Sequence, residues 1–519
     1  MQGSGPASDS HDLASFGYRQ ELHRTLGSFS SFAAAFSYIS ILTGMFQLFY
    51  FGFGAAGPAF WWSWIIVFAG QFAVALCFAE LAARYPIAGS VYQWSKQVAG
   101  KVVAWFAGWI MMIASIVTVA AVAIAWQIIL PQISTHFQFI GDGTGSHDFA
   151  ENAVILGLVL IVFTTTVNIL GVRLMSRINN VGVAAELIGA AVLIVLLAIH
   201  TTRGPQIVTH TFGTGPGLPG HSTLGYGAAF LIGAIMPAYV MFGFDTAGSL
   251  AEETTEPRRR APRAILMALG AAGVAGMLLL LFALMSAKDL HNAALTSNGL
   301  PFLVKSVLGN TLGDILLWDV VLSITVCCLA IHTAAIRMMF SMARDNALPG
   351  SNYIAKVSDK SRTPIVPAVI VGLLAMLILL VNINQPKIFT VITGIAIVMI
   401  YLAYLCVTVP LLRRRLSGWQ GLAPAEGLFS MRGAGTIVNA LAVAYGALMA
   451  INIGWPRNEI YGAGNYMWGG IIFIVGVIAL GGIWFMAVGQ HRMGVLDSHA
   501  IAGDEIERPL AGEQAFGGP

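Results

Sequence analysis

The sequence predicts an all-α integral membrane protein with twelve transmembrane helices, and three observations carry that expectation. Of 519 residues, 57% are hydrophobic and only 10% charged, with a mean hydropathy of +0.77. An ordinary soluble domain carries about 25% charged and about 45–50% apolar residues. Apolar runs longer than about 18 residues recur along the whole chain, each long enough to cross a bilayer as a helix. Basic residues gather in alternate connections between those runs. Disorder, collagen-like repeats and a compact water-soluble enzyme are excluded by this composition. The net charge of +3 is too small to point to nucleic acid.

Taken in order, residues 1–27 are polar and lack the apolar core of a signal peptide, so they read as a cytoplasmic N-terminal tail. Twelve spans follow at 29–52, 60–82, 102–130, 153–170, 181–200, 226–251, 265–287, 312–342, 365–383, 389–412, 435–453 and 466–488. With both termini placed inside a cell membrane, only Arg203, Lys288, Lys305, Lys387 and Arg457 of the 27 basic residues fall outside. One missed helix would scramble that bias. The runs Arg258, Arg259, Arg260 and Arg413, Arg414, Arg415 read as topology determinants, with lipid-headgroup recognition as the alternative. Cys77, Cys327, Cys328 and Cys406 lie in apolar runs and read as packing residues. Residues 489–519 form the cytoplasmic C-terminal tail, Gly-rich and mildly acidic from Asp497 onward and read as solvated.

Two spans contain credible breaks. Residues 36–46 read FSYISILTGMF, with Ser37, Ser40, Thr43 and Gly44 at mid-membrane. Residues 237–248 read PAYVMFGFDTAG, with Pro237, Gly243 and Gly248 around Asp245. In lipid every backbone polar group must be satisfied, so a broken helix survives only where it is buried or lines a cavity. The two lie five spans apart, which inverts the second relative to the first, and paired inverted breaks point to a transporter's binding site. A half-helix N-terminus offers N–H groups to an anion, and a half-helix C-terminus offers carbonyls to a cation. Thr43, Gly44 and Met45 are therefore expected to present N–H groups to a carboxylate. The carbonyls of Ser40 and Ile41, and of Tyr239, Val240 and Phe242, are expected to receive an amine. The competing reading of glycine-rich spans is close helix packing, which suffices for Gly270, Gly273 and Gly276, and for Gly469, Gly470 and Gly476.

The chain resembles the amino acid–polyamine–organocation transporters, and within them the amino acid/choline branch of GABA permease-like proteins. Three stretches carry the resemblance: AELAARYPIAGSVY at 79–92, GFDTAGSLAEE at 243–253 with PRAI at 262–265, and MARDNALP at 342–349. They match in order and topology over roughly residues 28–412, and the last two spans fit by position only. The resemblance implies a five-plus-five inverted repeat (LeuT-like), with helices 1–5 in 28–200, helices 6–10 in 226–412, and two additional C-terminal helices in 433–488. It also implies that Tyr239 is an aromatic gate over the substrate and that Gly44 is the last glycine of the first break. Leu42 departs from relatives that often have glycine there. Proton-coupled relatives often carry a lysine in span 5 in place of a sodium ion, and alignment of INNVGVAAELIG at 178–189 puts Glu186 at that position.

Ionisable groups at membrane depth are costly and are functional candidates. Desolvation there favours the neutral form of Glu186, which a proton carrier needs; the alternative is a carboxyl that only holds helices together. Asp245 reads as a brace that accepts backbone N–H groups, with direct contact to a substrate amine as the alternative. Glu252 and Glu253 read as ion-pair residues of a gate or loop. His332 stands alone in span 8, as a packing residue or a proton relay. Asp319 reads as a vestibule residue, and Thr333 is a poor sodium ligand without a second hydroxyl beside it.

No P-loop, metal-ligand spacing or enzyme motif stands out. Gly213, Gly215 and Gly217 lie in a connector. No cofactor is expected. The sequence therefore points to a secondary transporter of an amino acid or GABA working by alternating access, coupled to protons in preference to sodium. Its rivals are a choline- or polyamine-type cation carrier and a non-transporting nutrient receptor of the same fold. A channel would need a continuous polar stripe, and none is visible.

Overall fold

The computed structural model describes residues 13–143, 145, 147–211, 225–381, 383–384, 387–419, 427–462 and 464–500. Gly213, Gly215, Gly217 and the outermost tail residues lie outside these. Among the described residues the regular structure is helical, and β-pairing is confined to two isolated bridges, Tyr18 with Ala500 and Leu26 with Thr254.

The first expected span is two helices, α1 (Ser28–Ile39) and α2 (Ile41–Ala56), joined at Ser40. Helix α3 (Trp61–Arg84) returns across the bundle, and a short α4 (Ser90–Ala99) follows. Next come α5 (Lys101–Ala123), α6 (Ala125–Ile133), α7 (Asp148–Leu170) and α8 (Val172–Ile199). The sixth span is divided into α9 (Tyr226–Gly233), α10 (Ile235–Val240) and α11 (Thr246–Ser249). The rest is α12 (Pro257–Ser286), α13 (Gly299–Leu308), α14 (Asn310–Arg344), α15 (Ile365–Val381), α16 (Ile388–Leu416), α17 (Gly435–Gly454) and α18 (Gly469–Trp484).

Among the described residues, ten helical segments are long and apolar enough to cross a membrane. The expected sixth and ninth spans are shorter apolar helices, Tyr226–Val240 and Ile365–Val381. The sixth is short because its helix stops at the break.

The burial pattern is inverted relative to a soluble protein. On α8, Val181, Ile188 and Ile199 are more than 60% exposed, whereas Glu186 on the same helix is fully buried. Apolar side chains facing outward suit lipid, and the polar ones turn inward where partners exist. Helix α14 is buried without interruption over residues 326–344 and packs against α1, α5 and α8. Helix α12 packs on α1 and α3, and α16 on α5 and α17.

The tails differ from the expectation of solvated segments. Leu13, Tyr18, Leu22 and Leu26 are all buried against one end of the bundle. The Thr25 and Leu26 N–H groups donate to the Glu253 carbonyl at 2.9 and 2.8 Å. On the C-terminal side, Arg19 N–H donates to the His499 carbonyl, and His499 Nδ1 lies 2.8 Å from Glu21 Oε1. Spaced apolar residues in an otherwise polar stretch give the tail a face to bury. Both described tail segments therefore sit on the same end, called here the terminus-bearing end.

Candidate functional site

The two broken helices meet. A Cβ on Gly44 would lie 2.5 Å from Val240 Cγ2, and one on Gly243 would lie 1.9 Å from Tyr38 Cδ1. Glycine at each position leaves the room that the facing side chain fills, Val240 against Gly44 and Tyr38 against Gly243.

The first break is at Ser40, which adopts φ 36° and ψ 95°. A left-handed non-glycine residue costs about 1–3 kcal/mol, and local bonds offset it. The Ser40 Oγ accepts the Thr43 N–H at 3.3 Å and donates to Glu186 Oε1 at 2.9 Å. Glu186 Oε1 also accepts the Leu42 N–H at 3.2 Å. A carboxyl from α8 thus caps the N-terminus of α2, where free N–H groups and the positive dipole end favour it. The donor row differs from the expected Thr43, Gly44 and Met45. The Gly44 N–H is returned to the Ser40 carbonyl at 3.1 Å, and Met45 lies inside α2. The first turn of α2 is instead Ile41, Leu42 and Thr43, because the serine and not the glycine takes the strained conformation.

The second break runs from Met241 to Asp245. Gly243 sits at φ 88°, and its N–H donates to the Tyr404 hydroxyl at 3.0 Å. That hydroxyl donates in turn to Asp245 Oδ1 at 2.6 Å, and Ser90 donates to Oδ2 at 2.8 Å. Asp245 is tied to its neighbours by hydroxyl donors, where backbone N–H donors were expected. Each of its oxygens thus carries one hydroxyl donor.

Around the crossing, Phe242 packs edge-on to Tyr38 and to Tyr239, at 6.0 and 5.8 Å between ring centroids. Tyr239 also meets Phe389 at 6.3 Å. The hydroxyls of Tyr38 and Tyr239 and both amide atoms of Gln47 are buried without a well-formed hydrogen bond, with Gln47 beside the Tyr239 hydroxyl and Ser115 and Thr118 beside that of Tyr38. Glu186 Oε2 is likewise buried without one. Buried polar groups are nearly always paired, and these exceptions lie on the two broken helices and on α8 beside them. Sequence reasoning missed Tyr38, Gln47, Ser90 and Tyr404. Gln47 stood out in principle, as a carboxamide in an apolar run, whereas Ser90 and Tyr404 act through contacts more than 150 residues apart in the chain.

His332 lies elsewhere in the core. Its Nδ1 is 3.1 Å from Thr164 Oγ1 and its Nε2 is 3.2 Å from the Ala368 carbonyl. A carbonyl only accepts, so Nε2 carries a hydrogen, and both ring nitrogens are spent joining α14 to α7 and α15. Thr333 donates to Asn168 Oδ1 at 2.8 Å.

Between the breaks and the terminus-bearing end, three segments distant in sequence converge. Arg344 forms a two-pronged pair with Glu252 at 2.8 and 2.9 Å, and Glu252 also accepts the Ala88 N–H. Arg337 pairs with Glu253 at 2.7 Å. Asp345 receives the hydroxyls of Tyr92 and Tyr18, each at 2.8 Å, and Lys96 at 2.5 Å. The Tyr18 ring lies under the Arg344 guanidinium at 4.0 Å. Burial, then the Asp345 carboxylate, hold the Tyr18 phenol well above the usual tyrosine range, so it remains a donor. The expected ion pairs of Glu252 and Glu253 exist, and their partners come from α14.

These convergent segments are the same three stretches that carried the resemblance, and a family model described as amino acid permease matches residues 26–480. The chain belongs to the amino acid permease family. It is 27% identical over 464 residues to Amino-acid permease BAT1 of Arabidopsis thaliana, covering 86% of this chain and 88% of that protein. It is 26% identical over 521 residues to Amino-acid permease 2 of Neurospora crassa, covering 96% and 91%. It is also 25% identical over 459 residues to the Branched-chain amino acid permease BcaP of Bacillus subtilis, covering 85% and 91%. This permease is accordingly an amino acid transporter of the amino acid–polyamine–organocation superfamily, a multi-pass membrane protein and not an enzyme.

Proposed function

We propose that this permease carries a small amino acid across the membrane by alternating access, with the solute held where the two broken helices cross. The observation that carries the proposal is the crossing itself, with the buried polar groups of Tyr38, Gln47 and Tyr239. The positive N-terminal end of α2, its first turn of Ile41, Leu42 and Thr43, faces the carboxylate. The carbonyls of Ser40, Ile41, Tyr239, Val240 and Phe242 face the amine, and Tyr239 closes over the site.

The architecture behind this is twelve transmembrane helices in two inverted sets of five, residues 28–200 and 226–412, with two more in 433–488. Both tails are cytoplasmic, which makes the terminus-bearing end the cytoplasmic one. The Glu252–Arg344 and Glu253–Arg337 pairs then form the inner gate.

Glu186 is the coupling group. One of its oxygens ties α8 to the break, the other has no partner, and no basic side chain pairs with it among the described residues. A buried carboxyl in that state is stabilised by a proton, so proton coupling is favoured over sodium. His332, with both nitrogens occupied, fits packing better than relay.

The test is radiolabelled uptake by the purified protein in liposomes. Saturable, counterflow-capable flux of an amino acid is expected; binding without flux would make the protein a receptor. A thermal-shift screen of amino acids, GABA, choline and putrescine identifies the cargo, and stabilisation by non-amine compounds alone would remove the amine assignment.

A further inference from the structure

At the terminus-bearing end, Arg258, Arg259 and Arg263 line a cavity of about 240 Å³ with Leu266, Leu428 and Phe429. A positive loop is enough to set topology, and topology does not require its arginines to converge on a cavity. Arg259, Arg263 and Leu266 follow one another at helical spacing on the same face of α12. Arg259 and Arg263 are exposed, and Leu266 lies a turn deeper beside the outward-facing Met267. The helix begins at Pro257, so its positive dipole end adds to the guanidinium charge.

The opposite wall is built to meet them. Gly427 has φ 74°, and a Cβ there would lie 3.2 Å from Arg259 Nη2. That wall is anchored three and four residues on, where the Ser430 hydroxyl and Met431 N–H donate to Glu80 Oε1 at 2.9 and 3.0 Å. Glu80 is itself paired with Arg415, and Glu256 with Arg260. No carboxylate is among the described residues that line the cavity.

We propose that this cavity binds a phosphate-bearing anion, with a lipid headgroup seated on Arg259 and Arg263 and its chain descending past Leu266 and Phe429. Arginine forks suit phosphate oxygens, and the apolar floor facing the bilayer suits an acyl chain rather than a soluble anion.

The experiment uses the full chain exchanged into phosphatidylcholine with and without phosphatidylglycerol, and counts retained lipids by native mass spectrometry. Wild type is expected to retain phosphatidylglycerol, and R259Q/R263Q to hold it roughly tenfold more weakly, while the exposed control K360Q behaves as wild type. A parallel thermal-shift titration with inorganic phosphate separates the sources. If phosphate stabilises wild type but not R259Q/R263Q and no lipid is retained, the site holds and its ligand is a soluble anion. Equal retention by wild type and R259Q/R263Q with no phosphate difference overturns the site, and so does an equal loss in K360Q. Both arginines are exposed, and monodisperse elution with wild-type uptake confirms that the double variant is folded.

Discussion

The Tyr404 hydroxyl donates to Asp245 at 2.6 Å while accepting the Gly243 N–H at 3.0 Å, so one phenol on α16 holds both the bend and the acid of the second break. Its removal leaves a buried N–H and a buried carboxylate oxygen unpaired together. Tyr404→Phe is expected to destabilise by about 1–3 kcal/mol and to lower uptake. Asp245→Asn is expected to couple to it in a double-mutant cycle, measured by thermal unfolding. Strict additivity would mean that the two residues act separately.

Gly243→Ala places a methyl group 1.9 Å from the Tyr38 ring at a positive φ. The overlap extends to Tyr38 Cγ at 2.5 Å, the ring atom nearest the α1 backbone, so uptake is expected to fall to background. Gly476 has nothing within 4 Å of its added Cβ, and Gly476→Ala should transport normally. Equal activity of the two variants would contradict a tight crossing.

If Glu186 carries the coupling proton, Glu186→Gln keeps the acceptor for Ser40 and Leu42 but cannot ionise. Binding measured by thermal shift should survive, while uptake should stop responding to an imposed pH gradient in liposomes. Undiminished pH-driven accumulation would remove Glu186 from that role, whatever the substrate.

Arg344 and Glu252 are buried together at the terminus-bearing end. Arg344→Ala strands a buried carboxylate and is expected to cost about 3–5 kcal/mol. The charge swap Arg344→Glu with Glu252→Arg should recover part of that. If the swap is no better than the single change, the pair is not the stabilising contact.

Tyr18 gives the one pH response whose sign follows from its surroundings. The folded chain holds the phenolic proton more tightly than an unfolded one, whose value is near 10.0. The stabilisation is therefore complete below pH 10.0 and lost as pH rises above it. Wild type should lose thermal stability there more steeply than Tyr18→Phe, and parallel curves would show that the tail is not docked on Asp345.

Much of this was legible in one dimension. Apolar run length forecast the membrane class, because backbone groups in lipid must bond within their own helix. Ser40, Gly44, Gly243 and Asp245 announced two interruptions by residue type alone, and both interruptions are present. The resemblance in three short stretches pointed to the family. What the chain order hid was partnership. Whether the strained residue was Ser40 or Gly44 depended on a carboxyl 146 residues away, and Asp245 found hydroxyls rather than amides because α4 and α16 pack beside it. Buried Tyr18 and Leu26 looked like tail residues because a polar stretch shows its docking face only once something is there to dock against. Local composition determines where a helix can form or break, since those energies are set within a turn or two. Which side chain satisfies the exposed peptide groups is a matter of helices meeting, and only the tertiary structure decides it.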